Sequence, residues 1–406
     1  MLIDNNVKGE NMKKIIPMVL MLNFALIGCQ SETDTNTSGF SAMKAEAITQ
    51  AKRDLAKQLS ESYSNIEGTL KTSISEQQLN VPLSTLLVSE PNSEFSQTMA
   101  MADTEIRSIK GIEQFADELL ELRLADGSMV KDWKDGQSPL FAFEPKGDDE
   151  SWLYIEAYDV YGQLHQLSVD EMPDVPVLVV DSNSEKELKA GLKAMRAQMV
   201  SLGQDTLLES PSDGQVAAMN SAFSTMSAPA APLSTTALKK IRLADDQEPW
   251  ISGKAEVYAI VTGVNPSRDK PTIDLVEMPY LDYDKKDYYP NQIMIHWARY
   301  RWGAADIILM EQDDGTDYKE LASLLVQVAE EVLKAIPDPE VQAYAVIPQI
   351  TNKLIQAIPD GVLVNDDDHV DVFYTLQQDT PYIDHPGAGG NAVATFEPMT
   401  INPTRP

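Results

Sequence analysis

Three runs of acidic side chains crowd the C-terminal half of the chain, and carboxylates gathered on neighbouring loops are the raw material of a cation site. They are Asp282, Asp284 and Asp287; then Glu311, Asp313, Asp314 and Asp317; then Asp366, Asp367, Asp368 and Asp371. Calcium takes roughly six to eight oxygen ligands at one point. A metal reading therefore names Asp282, Asp284, Asp287, Asp313, Asp314, Asp366 and Asp368 as ligands, with Ca2+ as the cofactor. The spacing is not that of an EF-hand, because Gly315 at the turn position would put Gln312 and Met310 where ligands belong. A plainer reading stands beside it. Asp317 has the place of a helix cap, Asp282 and Asp284 of turn residues, and a chain this acidic carries aspartates on solvated loops.

Other chemistry-bearing residues form no motif. His165, His296, His369 and His385 share no metal spacing, although His369 is embedded in the third acidic run. No serine sits in a Gly-x-Ser-x-Gly elbow and no glycine-rich phosphate loop follows a strand; Gly387 to Gly390 reads as terminal coil. Paired carboxylates of the glycoside-hydrolase type leave no mark in a linear sequence. Tyr280, Tyr283, Tyr288, Tyr289, Tyr300, Trp297 and Trp302 read as core and hairpin packing, with a carbohydrate or protein surface as the alternative.

One residue carries a covalent reading. Cys29 is the single cysteine of the 406-residue chain and closes the run Leu26-Ile27-Gly28-Cys29, after Lys13, Lys14 and an apolar stretch from Ile15 to Ile27. This order resembles the bacterial lipobox, whose cysteine is lipidated and becomes the N-terminus after cleavage. Residues 1–28 are then a signal peptide with its start at Met12, since Asp4 and Glu10 are foreign to the head of a secretion signal. The chain so read is an acylated, palmitate-bearing lipoprotein held to a membrane through Cys29. Gln30, where an aspartate would favour inner-membrane retention, points to the outer membrane of a Gram-negative cell envelope.

Composition sets the class of partner. With 63 acidic against 32 basic residues the formal charge is -31, which excludes nucleic acid, because that partner demands a basic footprint. A lone cysteine leaves no internal disulfide, so the fold must rest on packing. The expected partners are the membrane and an envelope protein or glycan.

The elements that must position these residues follow from periodicity. Residues 29–39 are polar and read as a flexible tether. An α+β domain is expected over 40–205. It opens with a helix carrying Ile48, Ala51, Leu55, Leu59 and Ile66 on one face, and a second helix is predicted over Thr104 to Leu124. Short strands follow at Pro139–Glu144, Ser151–Asp159, Gln163–Val169 and Val175–Val180, with a hairpin turn at Asp159–Gly162. A helix then starts at Ser184, capped with Glu187, and runs to Leu202. The Ser, Ala, Pro and Met-rich stretch over 206–237 reads as a linker.

Strands at Gly253–Gly263, Thr272–Leu281, Gln292–Tyr300, Ala305–Glu311, Val370–Leu376 and Ala392–Ile401 predict an antiparallel β-sandwich domain over 238–406, C2-like in outline. A helical insertion over 317–358 interrupts it. Its first helix is capped by Asp317 and carries a stripe of Leu321, Leu325, Val328 and Val332; Pro348 breaks the second. The fold class is α+β. If the strands run up and down, the loops after Leu281 and Glu311 leave the same end of the sandwich.

The strings Asp246-Gln247-Glu248-Pro249-Trp250, Lys254-Ala255-Glu256-Val257-Tyr258-Ala259-Ile260 and Tyr288-Tyr289-Pro290-Asn291-Gln292 resemble a family of proteobacterial envelope proteins, the domain of unknown function numbered 3103. The resemblance covers most of the mature chain, implies no activity and transfers no catalytic residue. The sequence thus leads to an envelope lipoprotein that binds or supports without catalysis, with a hydrolase of an envelope polymer or external glycan as the alternative.

Overall fold

The computed structural model of the protein describes residues 34–86, 94–147, 151–207, 232–245, 249–267, 270–312, 315–336, 342–358 and 369–402. Among them are eight α-helices and three sheets in an α+β arrangement that is richer in strands toward the C-terminus.

The first half contains α1 (Asp34–Glu61), α2 (Tyr63–Ser73), β1 (Asn80–Pro82), α3 (Leu83–Leu86), α4 (Glu94–Ile109) and β2 (Leu120–Leu124). There follow α5 (Met129–Lys134), β3 (Leu140–Ala142), β4 (Ile155–Tyr158), β5 (Leu164–Leu167), β6 (Val177–Ser182) and α6 (Ser184–Ser201). Its strands form one sheet in the order β1-β2-β6-β3-β4-β5, with only β3 and β6 parallel. The expected turn at Asp159–Gly162 is present: Gly162, at φ +74°, donates to the Asp159 carbonyl at 2.8 Å. The apolar stripe of α1 buries Ile48, Leu55 and Leu59 against this sheet, and Lys52 lies on the same stripe with no exposed surface.

The helix predicted over 104–124 is corrected. α4 ends at Ile109, Gly111 turns the chain at φ +71°, and Leu120 to Leu124 form a strand. The Asp103 carboxylate accepts from the amides of Leu119 and Leu120 at 2.6 and 2.9 Å, which fixes the strand's entry. Within β2, Leu120, Leu122 and Leu124 alternate with Glu121 and Arg123 at strand period, a signal masked by the helical spacing of the apolar residues before it. The cap of α6 is also corrected: Asn183, not Ser184, accepts from the Lys186 amide at 2.9 Å, and Glu187 is buried in the interior instead of closing a capping box.

The second half contains β7 (Leu233–Leu243), β8 (Val257–Val264), β9 (Pro271–Glu277), β10 (Gln292–His296) and β11 (Ala304–Glu311). Next come α7 (Tyr318–Ala335), α8 (Ile347–Ala357), β12 (His369–Gln377), β13 (Tyr382–Pro386) and β14 (Ala392–Ile401). Two four-stranded sheets, β10-β7-β14-β13 and β12-β11-β8-β9, form the expected sandwich. β7 begins inside the stretch read as linker, of which residues 208–231 lie outside the described residues.

Every residue of β8 and β11 is buried because their sheet is the middle layer. Val257, Ala259 and Val261 face the other sheet, while Tyr258 and Ile260 join the apolar cluster that contains α7, α8 and the first-half sheet. That second cluster runs without a break across both halves of the chain. Asp317 caps α7 as expected, accepting from the amides of Lys319 and Glu320 at 3.1 Å each, and Pro348 stands in the first turn of α8.

Close packing makes small residues obligatory in this middle layer. A Cβ on Gly263 would lie 2.6 Å from Tyr300 Cδ1, and that ring is itself held by its hydroxyl on Asp274 at 2.6 Å. Gly263→Ala is therefore expected to cost about 1–3 kcal/mol of stability in urea unfolding. An unchanged midpoint would show that the ring yields freely.

Candidate functional site

A cleft of about 590 Å³ lies between the β1-β2-β6 edge of the first sheet and the segment leading into β8. Register sets its floor. Glu121 pairs with Asp181, and Asn80 with Arg123, so these four side chains stand on one face of the sheet. Glu121 and Asp181 are only 4% and 9% exposed, so they cannot depend on bulk water for solvation.

Each charge is met instead by specific partners. Asp181 receives Lys52 Nζ at 3.1 Å and Arg123 Nη2 at 2.9 Å. Arg123 also donates to the carbonyls of Ile251 and Ser252 at 2.6 and 3.1 Å. Gly253, at φ +100°, allows that approach, since a Cβ there would sit 3.1 Å from the guanidinium carbon. Burial opposes the charge of Arg123, but Asp181 holds it protonated.

The N-terminus of α6 orients two carboxyls of the cleft, Glu121 of the floor and Glu256. Asn183 Nδ2 donates to Glu121 at 2.6 Å, Asn80 Nδ2 donates to both Glu121 oxygens at 2.8 Å, and Ser184 Oγ donates to Glu256 at 2.5 Å. The adjacent residues Asn183 and Ser184 thus each orient one carboxyl. Burial raises the Glu256 carboxyl to about 8, the charges of Asp181 and Glu187 push it the same way, and Ser184 and Arg123 oppose the shift. Burial also raises Glu121, against the hydrogen bonds from Asn183 and Asn80.

The acidic runs singled out by sequence occupy a related place. The register puts Val257, Glu277, Glu311 and His369 at one end of the middle sheet, so the loops after β9 and β11 and before β12 leave from that end. Asp282 stands on the cleft rim, taking Lys254 Nζ at 3.0 Å and the Tyr288 hydroxyl at 2.9 Å. Asp284 is met by Lys285, and Asp287 lies 3.6 Å from Lys240 Nζ. Asp313, Asp314, Asp366 and Asp368, like Cys29, lie outside the described residues. Among the described residues no three acidic, histidine or cysteine side chains converge as metal ligands.

Asp371, from the third run, has a structural task. It is fully buried and accepts from the amides of Gly389 and Ala392 at 2.7 and 2.6 Å. The glycines read as terminal coil therefore form the tight turn between β13 and β14, wrapped around a carboxylate. A Cβ on Gly387 would lie 2.2 Å from Asp371 Oδ2.

Residues 52–404 match the family model described as a protein of unknown function, DUF3103. The chain belongs to the DUF3103 family. No curated protein and no solved structure matches it. In this DUF3103 protein, Lys52, Glu121, Arg123, Asp181 and Glu256 all fall within the matched span, whereas Cys29 precedes it. Sequence reasoning passed over the five because none belongs to a run of like charges or to a motif; Glu121 and Arg123, for example, are single charges in Leu120-Glu121-Leu122-Arg123-Leu124. The usable signal was the acid and base placed two apart on one strand face.

Proposed function

We propose that this DUF3103 protein is a lipid-anchored, non-catalytic binding module of the cell envelope and that the cleft above α6 is its ligand site. The observation that carries the reading is the cleft itself, an open concavity whose floor holds buried charges by oriented side-chain donors. We place the ligand there rather than on the loop of Asp282, Asp284 and Asp287, because a lysine already meets each of those three carboxylates.

A second reading has one observation in its favour. Glu256 retains its proton near neutrality within reach of the charge of Asp181, and a protonated carboxyl beside an ionised one is the equipment of a glycoside hydrolase. Asp181 is bound by both Lys52 and Arg123, which weakens it as a base or nucleophile. Binding without turnover is thus the better fit. Release of products from envelope glycans by the purified protein, abolished in Glu256→Gln, would replace the binding reading with the hydrolase.

The anchor rests on the sequence around Cys29 and on Gln30 after it. Among the described residues no helix is long and apolar enough to cross a membrane. Cys29→Ser is expected to abolish palmitate incorporation, leave the larger precursor uncleaved and move the protein out of the outer-membrane fraction. Unchanged size and fractionation would remove the lipid from this account.

A further inference from the structure

We propose that β5 is a docking edge on which a second copy of this chain adds its own β5, joining the two first-half sheets into one sheet across a two-fold axis. β5 is the outer strand of its sheet, at the opposite end from β1 and the cleft. Every residue from Gln163 to Gln166 is exposed. An open strand edge offers unpaired amides and carbonyls to another chain, so folded proteins blunt such edges.

The other five sheet edges among the described residues are blunted. β1 is three residues long, ends at Pro82 and has Gln78 Nε2 on its Asn80 carbonyl at 3.1 Å. β10 is bulged between Ile293 and Ile295; β13 is bulged between Tyr382 and His385, turns at Asp384 with φ +44° and ends at Pro386. On β12 the Ala388 amide donates to the Val372 carbonyl at 2.8 Å, and on β9 Arg196 Nη2 donates to the Leu275 carbonyl at 2.9 Å. β5 differs from all of them. It pairs with β4 in unbroken register and contains no proline, lysine or carboxylate.

Hydrogen bonding fixes how two such edges meet. The Asp159 amide donates to the Gln163 carbonyl at 3.0 Å, so by alternation the next bonded pairs are Ala157 with His165 and Ile155 with Leu167. Leu164 and Gln166 therefore turn their amides and carbonyls outward. Ser168, next in that row, already gives its carbonyl to the Trp250 indole at 3.1 Å. With Leu164 and Gln166 as the open pair, antiparallel docking sets Leu164 against Gln166 of the second copy and places His165 on the axis, opposite its own copy.

Charge names the occupant. The chain carries a formal charge of -31, so two copies repel across most of their surfaces. Val160 to Val169 contains no aspartate, glutamate, lysine or arginine. Two carboxylates of this hairpin are engaged locally: Asp159 accepts from the amides of Tyr161 and Gln163 and faces His165, and Glu156 on β4 is paired with Arg53. Apolar side chains stand at the same edge, with Leu164 50% and Tyr161 81% exposed. A neutral, partly apolar and self-complementary strand is the surface that so acidic a body can present to its own copy.

Sedimentation equilibrium and oxidative cross-linking test the pairing on the mature chain, residues 29–406, with Cys29→Ser so that neither lipid nor that cysteine joins two copies. A dimer is expected within about 1–100 µM, since the contact is small. It should tighten as NaCl rises from about 20 to about 200 mM, because salt screens the repulsion between two acidic bodies. Leu164→Glu is expected to weaken it tenfold or more. Gln166→Pro should do the same, since it removes an outward amide and spares the ladder to β4. Ile383→Glu, an exposed position on the blunted β13, should leave it unchanged. His165→Cys is expected to give a disulfide-linked dimer, as unbonded cross-strand pairs hold their Cα atoms about 4.5 Å apart. Near-UV circular dichroism checks that each variant is folded.

A chain that stays monomeric at about 100 µM in the higher salt overturns the proposal. So does a dimer that folded Leu164→Glu and Gln166→Pro leave intact, one that Ile383→Glu weakens equally, or the absence of a His165→Cys cross-link. Capture of another envelope protein by monomeric wild type, lost in Leu164→Glu, would give the edge to a different partner and overturn pairing between copies. None of these results bears on the cleft, which lies at the other end of the sheet.

Discussion

Lys110→Met is expected to lower stability by about 3–5 kcal/mol, measured by urea unfolding. Lys110 Nζ lies 2.6 Å from Glu187 Oε1, and neither side chain has exposed surface. The Tyr318 hydroxyl donates to the same oxygen at 3.1 Å, and the Tyr318 amide to the Lys110 carbonyl at 3.2 Å. This pair therefore joins the chain after α4 to the interior face of α6 and the start of α7. Removing the lysine alone leaves a carboxylate in an apolar site, and the cost comes chiefly from that desolvated charge. Lys110→Met/Glu187→Leu should recover most of the loss, because two well-packed apolar side chains need no counter-charge. A single variant that loses less than about 1 kcal/mol would show that water reaches the pair.

The same joint bears on the cleft. Glu187 lies in the first turn of α6, next to Asn183 and Ser184, which orient Glu121 and Glu256. Tyr318 also lies flat against Gly191, where a Cβ would come within 2.3 Å of its ring. Position and tilt of α6 are thus set by contacts with α7, and the cleft inherits them.

Much of the fold was legible because its signals were local. The amphipathic stripe and Asp317 cap of α7 needed only neighbouring residues, and so did the Asp159–Gly162 turn. The failures share a physical cause, which is burial that comes from distant parts of the chain. β2 reads as a helix because the apolar residues before it stand at helical spacing and outweigh a five-residue alternation whose charges, Glu121 and Arg123, find their partners only across the sheet. β7 opens as Leu233-Ser234-Thr235-Thr236, which reads as linker by composition; yet Thr236 Oγ1 accepts from Trp297 Nε1 at 3.0 Å, and Thr235 Oγ1 donates to the Met399 carbonyl at 2.8 Å. Threonine is at home in a strand once such partners exist.

The cleft was illegible for a related reason. Lys52 on α1, Arg123 on β2, Asp181 on β6 and Glu256 before β8 meet only through the register of the sheet and the approach of the 251–256 segment. The acidic runs attracted attention because they are contiguous. Contiguity favours solvated loops, whereas isolated charges inside apolar strands must find partners or not be there at all.

Glu256→Gln should change how stability depends on pH, and the sign follows from its raised carboxyl. Below the ordinary glutamic acid value of 4.5 the group is protonated in both folded and unfolded chains and contributes no difference. As pH climbs from there to about 8, the unfolded chain releases the proton while the folded one keeps it, so wild-type stability falls through that window. Glutamine can still accept from Ser184 through its carbonyl oxygen and carries no proton to lose. The variant is expected to match wild type near pH 5 and to exceed it by about 2–4 kcal/mol at about pH 9. Asp306, buried and raised to about 6, adds a fall in the same direction at lower pH, and the variant should retain it. The difference between the two profiles between pH 6 and 8 therefore isolates Glu256. Of the charged groups that shift it, Arg123 opposes the rise while Asp181 and Glu187 reinforce it, so neutralising Asp181 should move the window downward. Parallel profiles for wild type and Glu256→Gln would mean that Glu256 is ionised in the folded protein. The cleft would then hold one more negative charge at neutral pH.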